Sequence, residues 1–132
     1  MSSLGGALVG RKVLVVDDEP YILKILSFKL RLTGMIPFEA TCAEEALRLV
    51  REENPDVVLL DVSLSPGLSG FDLCRILKEN PTTMHLPIVM LTARSLPADR
   101  ELGLRLGARS YITKPFSTKV LISEIENALE EA

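Results

Sequence analysis

Val13-Leu14-Val15-Val16-Asp17-Asp18 sets an apolar run directly against two adjacent acids. Val57-Val58-Leu59-Leu60-Asp61 repeats the arrangement with one acid. Short, Val-rich runs bounded by polar residues read as strands buried on both faces, as in a parallel sheet. Ligands of an open α/β sheet bind outside the carboxyl ends of its strands. Asp17, Asp18 and Asp61 are therefore expected to converge on one pocket. Three carboxylates brought together repel one another. They call for a bound cation, a shared proton, or a phosphoryl group brought in with a metal.

Strands are expected at 11–16, 35–40, 56–60, 87–91 and 109–112. The second is weakened by Pro37 and reads as an edge. Helices alternate with the strands. The first runs from Glu19 to Thr33, with Ile22, Leu23, Leu26 and Leu30 inward and Gly34 as its stop. In the second, Thr41 caps with Glu44 as the other half of a capping box, and Ala43, Ala46, Leu47 and Val50 face inward. The third opens at Ser69 or Gly70, with Leu73, Ile76 and Leu77 inward, and closes at Asn80-Pro81. Pro97 starts the fourth, with Leu102 and Leu106 inward and Gly107 as its stop. Ser117 caps the fifth, which buries Leu121, Ile122, Ile125 and Leu129. Five strands alternating with five helices imply an α/β, doubly wound parallel sheet with right-handed crossovers. Residues 1–10, with three glycines, are expected to form a mobile leader, and residues 11–132 one domain.

A chain of 132 residues, 47% of them hydrophobic, can bury one proper core. It contains no apolar stretch of spanning length and no signal-peptide pattern, so no membrane contact is expected. The net charge of −3, with no basic block, argues against direct nucleic-acid binding. Cys42 and Cys74 form no Cys-x-x-Cys pair and read as free thiols of a cytoplasmic protein. His85 has no second histidine to make a zinc site and reads as a loop residue.

The turn after the first strand is Asp17-Asp18-Glu19-Pro20 rather than the glycine-rich turn of a dinucleotide site. No P-loop pattern occurs either. The fourth strand leads to Leu91-Thr92-Ala93-Arg94 and the fifth to Tyr111-Ile112-Thr113-Lys114-Pro115-Phe116, adding a hydroxyl and an ammonium to the acidic pocket. Together with Val15-Val16-Asp17-Asp18-Glu19-Pro20, Leu59-Leu60-Asp61 and Gly107-Ala108-Arg109-Ser110, these segments resemble the receiver domain of bacterial response regulators, the CheY-like superfamily. The resemblance runs from about Lys12 to Leu129.

The resemblance implies a flavodoxin-like fold with strand order 2-1-3-4-5. It implies a phosphoacceptor role for Asp61, taking a phosphoryl group from a histidine kinase or a histidine phosphotransfer protein. Mg²⁺ would be held by Asp18 directly, by Asp17 mainly through water, by Asp61, and by the backbone carbonyl of Ser63. Lys114 and Thr92 would contact the phosphoryl oxygens. Tyr111 would turn inward with Thr92, switching a face made of the fourth helix, fifth strand and fifth helix. That face would meet an output protein, an effector domain beyond this chain, or a second copy as a homodimer. Such a domain is not a turnover enzyme. The Lys114-Pro115 bond is expected to be cis.

Read singly, each residue has an ordinary alternative. The Asp17-Asp18 pair could cap a helix, Asp61 could be a turn acid, Thr92 a turn cap, Tyr111 a half-buried strand aromatic, and Lys114 a solvated cation. A phosphatase of the haloacid dehalogenase type would also use an aspartyl nucleophile and Mg²⁺, but it places Asp-x-Asp after its first strand, where this chain has adjacent acids. A phosphate-independent interaction module would be expected to lose some of the five site residues, all present here.

The chain departs from the family in two places. A proline normally four residues after the phosphoacceptor is here Pro66, five after Asp61, so the loop is one residue longer; Gly70 keeps its distance from that proline. The charged pattern that pairs receivers of winged-helix regulators is also missing. Arg109, Ser110, Val120 and Glu124 stand in its place, and Leu104 is either exposed beside Val120 and Tyr111 or packed beneath its helix.

Overall fold

A computed structural model describes residues 8–131. Strands β1 (Lys12–Val16), β2 (Ile36–Ala40), β3 (Val57–Leu60), β4 (Ile88–Thr92) and β5 (Ser110–Thr113) form one parallel sheet in the order β2-β1-β3-β4-β5. Among the described residues, helices α1 (Pro20–Arg31), α2 (Ala43–Glu53), α3 (Gly70–Glu79), α4 (Pro97–Arg105) and α5 (Thr118–Glu131) alternate with them. β2 is an edge strand, and because Ile36 N–H bonds to the Arg11 carbonyl at 2.8 Å, the next nitrogen, that of Pro37, faces the open edge and removes no ladder bond.

Successive strand side chains point to opposite faces, and both faces are apolar. Leu14, Val16, Val58, Leu60, Ile88 and Met90 pack beneath α2 and α3, against Ala46, Val50, Leu73 and Leu77. Val13, Val15, Val57, Leu59, Val89 and Leu91 pack beneath α1 and α5, against Leu23, Leu26, Leu30, Leu121 and Ile125. Burying a leucine of this kind contributes about 1.5–3 kcal/mol. The sheet is thereby fixed from both sides, and the carboxyl ends of its strands become a rigid rim.

The helix ends follow local chemistry with some differences from expectation. Ser69 caps α3, and its side chain and that of Asp72 close a reciprocal capping box. Ser117 Oγ accepts the N–H of Val120 at the start of α5. The expected Thr41–Glu44 box is not formed. Cys42 occupies the cap position, and Glu45 takes the Thr41 N–H at 2.7 Å, because its carboxylate reaches back one full turn. On α1, Ile22 is only partly buried, and Ser27 is a buried position that the apolar stripe does not include. Its hydroxyl donates to Glu39 Oε2 at 2.7 Å, which satisfies the polar group inside. On α4, Leu102 is not inward but 36% exposed, because the buried residue of that helix is Gly103. Gly107 stops α4 with φ +110°, a conformation that suits glycine.

Residues 1–7 of the expected leader lie outside the described residues. The last part of that segment is docked. Leu8 is fully buried in the α1–α5 core, and Gly10 N–H donates to the Gly34 carbonyl at 2.9 Å. Leu8→Ala should lower the unfolding free energy by about 2–4 kcal/mol in a urea titration, and a loss below ~0.5 kcal/mol would show that the segment is loose.

Both cysteines are free. Burial pushes the Cys74 thiol up to about 11, with Lys78 opposing weakly. Its thiolate fraction at pH 8 is then on the order of one in a thousand. Iodoacetamide at pH 8 should alkylate partly exposed Cys42 and spare Cys74 until the protein unfolds. Equal labelling of both in the native state, read by peptide mass, would contradict this burial.

Candidate functional site

The rim carries every residue the sequence singled out. Asp17 and Asp18 follow β1, Asp61 follows β3, Thr92 ends β4, and Tyr111 and Lys114 lie in and just after β5. Asp17, Asp18 and Asp61 each offer a carboxylate oxygen within 4.8 Å of the others. Asp17 is 2% exposed and Asp61 8%. Lys114 Nζ lies 3.0 Å from Asp17 Oδ2 and 3.4 Å from Asp61 Oδ2. The Lys114-Pro115 bond is cis, as is Ser65-Pro66 in the longer β3–α3 loop.

Both oxygens of Asp17 are engaged, Oδ2 by Lys114 and Oδ1 by the N–H of Glu19 at 2.9 Å. Asp61 Oδ1 accepts the N–H of Ser63 at 3.1 Å, so the loop backbone folds against the carboxylate. Gly70 holds the loop from the other side. Its N–H donates to the Val62 carbonyl at 2.8 Å, and a β-carbon there would strike the Asp61 carbonyl and stand 2.7 Å from Val62 Cα.

Three carboxylates and one ammonium leave the pocket with a formal charge of −2. Burial raises the pKa of Asp17, against the Glu19 N–H and Lys114, which lower it. Burial likewise pulls Lys114 down, but its hydrogen bond to Asp17 and the charges of Asp61 and Asp17 outweigh it, and its pKa is raised. The ammonium therefore stays charged at neutral pH. The remaining negative charge is presented by hard oxygen donors, one buried pair and one half-buried acid. That donor set fits Mg²⁺, which binds oxygen and keeps part of its water shell.

Thr92 is fully buried, and its Oγ1 accepts the N–H of Arg94 at 3.2 Å. Tyr111 is inward, 3% exposed, and its hydroxyl donates to the Arg94 carbonyl at 2.8 Å. Arg94 is thus the link between the two, through its backbone. Its guanidinium turns away to Asp99 of α4 at 3.1 Å. Arg100 Nη1 donates to the Tyr111 carbonyl at 2.8 Å. Sequence reading did not find Arg100 or the backbone role of Arg94, because neither depends on a side-chain pattern. Leu104 and Val120 are exposed at 40% and 47%, which decides the open placement of Leu104.

Residues 13–126 match the family described as "Response regulator receiver domain". A response regulator from Chloroflexus aurantiacus is 35% identical over 92% of this chain and 98% of that one, with a TM-score of 0.86. The DrrB receiver domain, solved in a BeF3-activated form, is 36% identical over 92% of this chain and 99% of its own, with a TM-score of 0.82. The BeF3-activated receiver domain of Klebsiella pneumoniae RstA is 31% identical over 90% of this chain and 98% of its own, with a TM-score of 0.84. Matched along almost the full length of solved receivers, this chain belongs to the response regulator receiver domain family of two-component signalling.

Proposed function

We propose that the domain accepts one phosphoryl group on Asp61 from a phosphohistidine, and that this event changes the surface formed by α4, β5 and α5. The observation that carries the reading is the convergence of Asp17, Asp18 and Asp61 around Lys114 at one sheet rim. A carboxylate oxygen of Asp61 attacks phosphorus, forming the P–O bond as the P–N bond breaks. The donor histidine, whose other ring nitrogen carries a proton, leaves with that electron pair as a neutral imidazole. Such transfers depend on positioning and on positive charge at the equatorial oxygens.

Lys114, already 3.4 Å from Asp61, supplies one such charge. Mg²⁺, when bound, supplies the other by neutralising phosphoryl oxygens. Asp18, Asp61 and the Ser63 carbonyl would hold it directly. Asp17 would act through water, consistent with both its oxygens being engaged. The Thr92 hydroxyl would give up the Arg94 N–H and donate to a phosphoryl oxygen. A groove lined by Ile22, Ile25, Lys114, Pro115 and Phe116 lies beside the pocket and suits the approach of a kinase or phosphotransfer protein. The modification is stoichiometric rather than a turnover. Exposed Leu104 and Val120 suit an apolar contact with an output protein.

With acetyl phosphate and Mg²⁺, the wild type should gain the mass of one phosphoryl group, and Asp61→Asn should gain none. Equal gain in both would remove Asp61 from this role, and steady hydrolysis of p-nitrophenyl phosphate would favour a phosphatase instead. Ser63→Asn and Arg94→Ala should change the decay rate of the acyl phosphate more than its formation. Both substitutions keep the N–H bonds to Asp61 and Thr92 and change only the side chains beside them, which stand two residues beyond each in the chain. Decay curves for both variants that overlay the parent would dismiss that assignment.

A further inference from the structure

We infer that Gly103 is a positioning residue for the switch aromatic, a notch in α4 into which the Tyr111 ring seats; the inference rests on the receiver reading and extends it. Among the described residues, Gly103 is the sole buried position of α4. The helix carries leucines on both sides of it, yet Leu102 and Leu104 are 36% and 40% exposed. A helix normally turns a side chain to its sheet, and glycine disfavours helix. Here α4 turns an empty position inward, and Tyr111 fills it from β5.

The fit is close. A β-carbon on Gly103 would stand 2.9 Å from Met90 Sδ and 3.0 and 3.3 Å from two ring carbons of Tyr111. Those distances are below the 3.5–4.0 Å at which carbon atoms pack favourably. Tyr111 is also tied at its side chain and at its main chain. Its hydroxyl donates to the Arg94 carbonyl, and its backbone carbonyl accepts from Arg100 Nη1 of α4. Arg94 is bridged to Asp99 of the same helix. Outward rotation of Tyr111 would leave a void between Gly103 and Met90, so α4 and the ring must rearrange together. Gly103 therefore sets how firmly the phosphoryl site is coupled to the outer face.

The chain has two tyrosines and no tryptophan, so Tyr21→Phe leaves Tyr111 as the only tyrosine emitter. Tyr21 is 62% exposed on α1 and takes no part in the site. In that background, acrylamide should quench Tyr111 weakly. Adding Gly103→Ala should raise the quenching constant several-fold while far-UV circular dichroism stays unchanged. Unchanged quenching in a folded Gly103→Ala protein would overturn the inference. If Gly103→Ala does not fold, Tyr111→Ala is added to it. Recovered folding then supports the notch, and continued failure overturns it. Beryllofluoride-induced amide shifts at Asp61 and Thr92 are recorded in parallel. Their absence in the parent would sink the receiver reading, while the quenching comparison still judges Gly103.

Discussion

Everything at the rim depends on Lys114 lying between two buried carboxylates. Asp17 and Asp61 are almost out of solvent, and two buried carboxylates need a compensating positive charge beside them. One ammonium reaches both, at 3.0 and 3.4 Å, and makes the pocket tolerable without making it neutral. The surplus of negative charge is what a divalent cation needs. The same ammonium is then available to an incoming anion. A site with a second lysine would be quieter and would hold metal less well.

The sheet makes this geometry possible by being apolar on both faces. Alternate residues of β1, β3 and β4 feed two separate cores, so a slip by one position would send every side chain into the core shaped for its neighbour. Their ends are therefore fixed, and so is the spacing of the acids that follow. The α1–α5 core reaches beyond the expected domain boundary to enclose Leu8. The β2 edge is secured differently, with Glu39 held by Ser27 and Lys24 from α1.

The fold and the convergence of the candidate site residues were legible because both are written in local pattern. Val13–Val16 and Val57–Leu60 end abruptly in acids, and the change from apolar to charged marks the strand's carboxyl end. Thr92 and Lys114 follow from the same logic on β4 and β5. What was not legible depends on things a pattern does not encode. Leu102 looked inward because a helix was expected to bury its leucines, whereas α4 rests on a glycine. Thr41 pairs with Glu45 rather than Glu44 because carboxylate reach, not spacing alone, decides the cap. Ser27 was not among the inward residues read for α1, because its acceptor, Glu39, sits on another element twelve positions away. Arg94 joins Thr92 to Tyr111 through its main chain, which carries no side-chain signature.

The close approach at Gly70 gives the domain a direction. Its N–H is bound to Val62, and its α-carbon lies so near the Asp61 backbone that no methyl group fits between them. Asp61 and the start of α3 therefore move as one body, anchored further by the Ser69–Asp72 cap. On the opposite side, Thr92 is held to Tyr111 by two single hydrogen bonds through one peptide segment. A disturbance at the pocket meets a stiff wall toward α3 and a compliant one toward α4. The domain is mechanically lopsided, braced by packed backbone on the α3 side and joined by single hydrogen bonds on the α4 side.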